Sequence, residues 1–274
     1  MPIYDDLGNR MKIYYEQIPK TKLMRRCPVV IRIDGRAFHT FTKGFNKPFD
    51  DVLIKTMQET TKYLCENVQG CVLGYTQSDE ISLVLIDYQN LNTSAWFDYE
   101  VQKMCSISAS MATMAFNKFF VQNVENEIIE YKGSAVPQSI ELHQKISAYH
   151  KTLKQATAKG AMFDARVFNI PKEEVTNYIY WRQLDASRNS IQMVGHANFS
   201  HRELQNKSCN DIQDMLINEK NINWNDLPTY LKCGTCVVKR EVKDKRGHWH
   251  IDKDIPIFKD EDRDYIDRLI FIET

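Results

Sequence analysis

The alternation of apolar and polar positions divides the chain into a mixed strand-and-helix front and a largely helical back. After Pro28, the run Val29, Val30, Ile31 and Ile33 is rich in β-branched side chains and predicts a buried strand that stops at Asp34-Gly35. Two more apolar runs, Cys71–Tyr75 and Ile81–Ile86, flank Thr76-Gln77-Ser78-Asp79-Glu80 and predict a β-hairpin. Asp79 and Glu80 then sit near its tip and point to opposite faces. Ala161–Ile170 reads as a fourth strand. Helical spacing predicts an N-terminal helix over residues 5–24, carried by Leu7, Met11, Tyr14 or Tyr15, and Ile18. A second helix runs from an Asp50 N-cap to about Asn67, burying Val52, Met57, Thr60 or Thr61, and Leu64. A third covers about Ala95 to Gln122 with a wide stripe from Val101 to Phe119. Residues 123–159 are polar and read as an insertion with one helical piece.

The order β-α-β-β-α-β is the ferredoxin-like plan of an α+β fold with an antiparallel sheet. In that plan the first strand lies beside the hairpin strand that follows the turn. From Pro171 a helix is predicted to about Ser190, with another through IQMVGHAN. Ser200 with Glu203, and Ser208 with Asp211, have capping-box spacing for two short helices. Thr235–Val242 and His248–Asp254 predict a hairpin, and Asp262–Ile270 a last helix. The pattern divides the chain into a strand-and-helix part, 1–170, and a helical and hairpin part, 171–274, packed on it.

Composition narrows the function classes. With 36 basic and 36 acidic residues the net charge is zero, so contact with a nucleic acid requires a local patch rather than a basic coat. Candidate patches are Lys145, Lys151, Lys154 and Lys159, and the turn Lys239, Arg240, Lys243, Lys245 and Arg246. Seven cysteines spread through apolar runs suggest reduced thiols and a cytoplasmic protein. The N-terminal stretch has the pattern of neither a signal peptide nor a transit peptide, and no apolar run approaches the ~18 residues of a membrane span.

The candidate chemistry sits at two strand ends. A carboxylate closing a buried strand, Asp34, is followed by Gly35, where the backbone can turn sharply and approach a ligand. If the hairpin pairs beside that strand, Asp34 and Asp79 converge on one hard cation. Taken alone, both remain open to a plainer reading as turn residues, since Asp-Gly is the commonest hairpin turn. The segment Arg36-Ala37-Phe38-His39 follows the turn, where successive N–H groups can cradle a phosphate.

RIDGRAFHTF at 32–41, KPFD at 47–50, GYTQSDEIS at 74–82, FDARVF at 163–168 and YWRQLDASRNS at 180–190 together resemble the tRNA-histidine guanylyltransferase superfamily, over about residues 5–240. The resemblance implies a polymerase-like palm and addition of nucleotides to the 5′ end of tRNA, growing 3′ to 5′. It implies two Mg²⁺ ions held by Asp34, Asp79 and the carbonyl of Gly35, with Glu80 a further essential carboxylate. It also implies nucleotide contacts (ATP, GTP or another NTP) from Lys47, Asp50 and Ser78. Lys103 and Arg166 become candidates for a second triphosphate site, and Asn189 for positioning the 5′ end. Members are typically tetramers. Where eukaryotic guanylyltransferases carry His-Ile-Asn followed by Asn or Glu, this chain has Ser187-Arg188-Asn189-Ser190. That departure is similar to the Thg1-like branch, associated with template-dependent repair of 5′-truncated tRNA.

Other readings stay open on the sequence. Guanine addition to tRNA-His is one. A nucleotide cyclase on the same palm is another, and a non-catalytic RNA-binding palm a third. Cys233-x2-Cys236 with His248 and His250 has the residue types of a zinc site, although alternating histidines also fit a plain hairpin face.

Overall fold

The β-branched run after Pro28 becomes β1 (Val29–Gly35), an interior strand of a six-stranded sheet ordered β4-β1-β3-β2-β5-β6. The structure, a computed structural model, describes residues 6–133, 139–240 and 247–272. After α1 (Asp6–Met11) and β1 come α2 (Phe38–Phe41), α3 (Asp51–Asn67), β2 (Cys71–Gln77), β3 (Glu80–Leu85), α4 (Val101–Gly133), α5 (Ile140–Lys159) and β4 (Phe163–Asn169). The second part holds α6 (Lys172–Asn198), α7 (His201–Leu204), α8 (Cys209–Lys220), α9 (Thr229–Cys233), β5 (Thr235–Arg240), β6 (His248–Asp252) and α10 (Asp264–Ile270). The expected β-α-β-β-α-β order is present, and β1 lies antiparallel beside β3 with Ile33 opposite Ile81 and Asp34 opposite Glu80.

Each face of the sheet has its own core. Val29, Ile31 and Ile33 point to α3 and α4, together with Ile81, Leu83, Met104, Ala112 and Phe116. Val30, Leu73, Tyr75 and Val84 point the other way, against Val175 and Ile179 of α6 and Ile266 of α10. This is the period-2 alternation of β1 read as two buried faces.

Several boundaries differ from the sequence pattern. The N-terminal helix stops at Met11 and passes through a π turn at Lys12–Glu16, with Pro19 blocking continuation. Leu7, Met11, Tyr14, Tyr15 and Ile18 had the spacing of a buried stripe, yet all are exposed. The polar insertion is two helices: α4 runs on to Gly133, and α5 packs back along it. No break occurs at Ser190. The first half of α6 buries Val175 and Ile179 on the sheet, while Ile191 and Val194 turn to a separate cluster with Leu204, Ile212 and Leu216. The buried stripe thus changes partners midway, which imitates a boundary in the sequence. Both capping boxes form, at Ser200–Glu203 and Ser208–Asp211. The last hairpin is not a separate unit, because β5 pairs with β2 and extends the same sheet. Lys243, Lys245 and Arg246 of its turn lie outside the described residues. Among the described residues, no helix is long and apolar enough to cross a membrane.

A buried ion-pair network ties α6 to the sheet. Glu80 is 5% exposed and accepts from Arg182 Nε at 2.6 Å, Arg182 Nη2 at 2.9 Å and Arg32 Nη2 at 2.5 Å. Arg182 also donates to Asp185 at 2.7 Å. Removing one partner of such a pair strands the other in a low-dielectric site. Arg182→Met is therefore expected to lower unfolding free energy by about 3–5 kcal/mol in urea titrations. Glu80→Gln combined with Arg182→Met should recover more than half of that loss, and full additivity of the two changes would contradict the pairing.

Candidate active site

The end of β1 and the tip of the β2–β3 hairpin are fastened by one backbone bond, from Gly35 N–H to the Asp79 carbonyl at 3.1 Å. The hairpin is tighter than its five-residue polar run suggested: the strands reach Gln77 and Glu80, leaving Ser78 and Asp79 as the turn. Ser78 takes a left-handed conformation there (φ +50°) and donates its hydroxyl to Asp79 Oδ1 at 3.1 Å. Gly35 is required by close approach, since a Cβ at that position would lie 2.3 Å from the Phe38 ring. Phe38 in turn is fixed by Phe163 at 5.2 Å and Phe116 at 5.5 Å between ring centroids. The turn thus rests on an aromatic floor.

Asp34 and Asp79 both line a cavity of about 530 Å³. Gly35, Ala37, Phe38, His39, Lys47, Asp50 and Ser78 line it with them. Burial pushes the Asp79 carboxyl above its usual range, and the nearby charges of Asp34 and Glu80 push it the same way. Two hard oxygen donors lining one cavity are of the residue type that a divalent cation takes. Among the described residues there is no group of three or more His, Cys, Asp or Glu able to hold a metal alone. A pair of carboxylates is a donor set that fits magnesium, which takes a few carboxylates and completes its shell with water and phosphate oxygens.

The surrounding residues have distinct placements. Ala37, in a left-handed conformation (φ +53°), leads into α2, and the first-turn N–H groups of Phe38 and His39 have no intrahelical acceptor. His39 is exposed, its Nε2 3.0 Å from the Thr40 hydroxyl. Asp50 is 4% exposed and committed to its own chain: it accepts from Leu53 N at 3.0 Å as the N-cap of α3, from Asn46 N at 3.1 Å and from the Tyr149 hydroxyl at 2.8 Å. Its carboxylate holds the 46–50 loop in the shape that presents Lys47 to the cavity. Asn189, on α6, lines an adjoining cleft together with Lys47 and Ser78.

Other candidates stand apart from this cavity. Glu80 occupies the α6 side of the sheet with both carboxylate oxygens held by arginines. Arg166 on β4 places Nη2 3.7 Å from Asp34 Oδ2 and 3.5 Å from Asp164 Oδ1, beside the carboxylate pair but outside the cavity lining. Arg36 is exposed, and its backbone N–H donates to Met162 O at 2.8 Å. Lys103 is not brought near. The α4 helix reaches this end of the sheet at Thr113, which accepts from Phe163 N, and Lys103 lies ten residues earlier, about 15 Å along the axis. Its ammonium sits 5.6 Å from the Phe97 ring instead. Sequence reasoning passed over Arg32 and Arg182, the groups that hold Glu80. The available signal was a charged residue inside the otherwise apolar β1 run. At the zinc-like group, Cys236 lies opposite Asp252, while His250 faces Val238 and His248 faces Arg240 across the β5–β6 pair, and among the described residues these side chains form no cluster able to hold a metal.

Comparison with known proteins places this arrangement. Residues 8–171 match the family model described as tRNAHis guanylyltransferase (Thg1). A solved bacterial tRNA(His) guanylyltransferase (Thg1)-like protein in complex with ATP is 41% identical, with a TM-score of 0.79, covering 97% of this chain and 100% of that one. A bacterial Thg1-like protein in complex with GTP is 39% identical, with a TM-score of 0.76, covering 98% of this chain and 100% of that one. The tRNA(His) guanylyltransferase of Saccharomyces cerevisiae is 25% identical over 80% of this chain and 85% of its own length. The chain belongs to the tRNAHis guanylyltransferase (Thg1) family of nucleotidyltransferases.

Proposed function

We propose that this chain extends the 5′ end of tRNA in the 3′-to-5′ direction, restoring nucleotides missing from truncated molecules against the opposite strand of the acceptor stem. The observation that carries the reading is the convergence of Asp34 and Asp79 on one cavity, locked by the Gly35–Asp79 backbone bond. The repair branch is supported by Ser187-Arg188-Asn189-Ser190 where eukaryotic guanylyltransferases differ. It is supported too by greater identity to the bacterial Thg1-like protein, 41%, than to the yeast guanylyltransferase, 25%.

In this reading the cavity takes the triphosphate of ATP, GTP or another incoming nucleotide. Lys47 supplies a mobile positive charge, the free N–H groups at the start of α2 donate to phosphate oxygens, and the Ser78 hydroxyl lies within the same wall. Asp34 and Asp79 would hold two magnesium ions, which when bound lower the pKa of the attacking hydroxyl and neutralise the departing pyrophosphate. Arg166, beside Asp34, is placed to meet the 5′ phosphate of the acceptor. A 5′-monophosphate first attacks the α-phosphate of ATP, releasing pyrophosphate and leaving an adenylylated end. The 3′-hydroxyl of the incoming nucleotide then attacks the 5′ phosphate, and AMP departs. A 5′-triphosphate end loses pyrophosphate directly, so each addition leaves an end ready for the next.

Addition of a guanine to intact tRNA-His is the second reading, favoured by the description of the matching family and the names of its curated relatives. Incubation with 5′-truncated tRNA, ATP, all four NTPs and Mg²⁺, followed by nucleotide-resolution mapping of the 5′ end, separates the two. Growth is expected to stop when the acceptor stem is fully paired. Guanine addition to intact tRNA, indifferent to the opposite nucleotide, would replace the repair reading.

Asp79→Asn should lower the transfer rate by at least a thousandfold, about 4 kcal/mol of transition-state stabilisation. Its stability should move the other way. The raised carboxyl of Asp79 favours the folded state at acid pH, and that benefit is lost as pH rises through its folded-state value. Metal-free Asp79→Asn is thus expected to melt at or above the wild-type temperature at neutral pH by calorimetry. A large drop in melting temperature would make Asp79 structural rather than functional.

A further inference from the structure

A second groove, of about 660 Å³, lies between α4 and α5 on a surface distinct from the nucleotide cavity. Lys132 faces it from α4, and Lys151 and Lys154 face it from α5, with Tyr131, His143 and His150 between them. Among the described residues, no carboxylate lines it. Glu127 stands nearby, 3.8 Å from the buried Nε2 of His150. Among the described residues, none of the three lysines is in an ion pair, in contrast to Lys145, whose ammonium pairs with Glu141 at 2.9 Å and which does not line the groove. The Tyr131 hydroxyl engages Nδ1 of His143 at 2.7 Å, so that ring has only Nε2 left for a ligand.

We propose that this groove anchors backbone phosphates of the RNA substrate, away from the reacting end. The proposal rests on the reading of tRNA as the acceptor. Three arguments carry it. A chain with 36 basic and 36 acidic residues has no general attraction for RNA, so its contacts must come from unpaired local charge, which this groove provides. Lys151 and Lys154 lie one helical turn apart, about 5–6 Å between Cβ atoms, a spacing suited to neighbouring phosphates on one strand. The same helix also forms part of the support of the nucleotide cavity. Tyr149 donates to Asp50 at 2.8 Å, and Thr152 packs where a Gly44 Cβ would stand. One face of α5 thus supports the cavity, and its opposite face carries the lysines of the groove.

The test is the salt dependence of binding, measured by fluorescence anisotropy with labelled full-length tRNA. Each lost phosphate contact reduces the slope of log K against log salt by about 0.9. Lys151→Gln with Lys154→Gln should therefore weaken binding at low salt. It should also reduce the loss of affinity between about 50 and 200 mM salt by roughly tenfold. ATP binding should stay at the wild-type level, and Lys145→Gln should behave as wild type. A double variant with the wild-type slope, or a Lys145→Gln variant with an equally flattened one, overturns the groove while leaving the substrate reading intact. Failure of the wild-type protein to bind tRNA at all overturns both.

Discussion

Two like charges are held together by the backbone around them. Asp34 ends an interior strand, Asp79 sits in a two-residue turn, and the Gly35 N–H to Asp79 carbonyl bond fixes one to the other. The β1–β3 register, with Asp34 opposite Glu80, leaves the turn little freedom to move away. Burial raises the Asp79 carboxyl above its ordinary range, and the neighbouring charges of Asp34 and Glu80 add to it in the same direction. In the proposed reading, a cation bound between the two carboxylates would offset that cost.

The surroundings of the two carboxylates are closely packed on both faces of the sheet. Beneath the turn, Phe38, Phe41, Phe116, Phe120 and Phe163 form a continuous aromatic cluster. On the other face, Glu80 is clamped by Arg182 and Arg32, so the residue next to Asp79 is anchored on the α6 side of the sheet. Asp50, the N-cap of α3, secures the loop that carries Lys47. Adjacent acidic residues, Asp79 and Glu80, thus part ways: one lines the cavity and the other is held by arginines on the α6 side of the sheet.

Much of this was legible in the sequence where local chemistry and tertiary structure agree. The β-branched run of β1, the Asp50 N-cap and both Ser capping boxes formed as their residues dictate. The adjacency of β1 and β3 followed from the β-α-β-β-α-β order rather than from any one residue. What escaped depends on partners distant in the chain. The stripe on α6 shifts from the sheet to α8, so Ile191 and Val194 read as a new helix. The N-terminal stripe at Leu7 and Met11 has helical spacing and no core to face. The pairing of β5 with β2 joins residues more than 150 positions apart. Lys103 had the charge of a phosphate ligand, but α4 carries it toward the far end of the sheet, away from the cavity.

The claim underlying all of this is that Asp34 and Asp79 share a cation with the substrate's phosphates. The most direct measurement is anomalous diffraction from crystals soaked with Mn²⁺ and ATP. The account predicts manganese within about 2.0–2.6 Å of an oxygen from each carboxylate and of a triphosphate oxygen. Manganese bound elsewhere, or ATP seated in the cavity with neither carboxylate turned toward a metal, would contradict it.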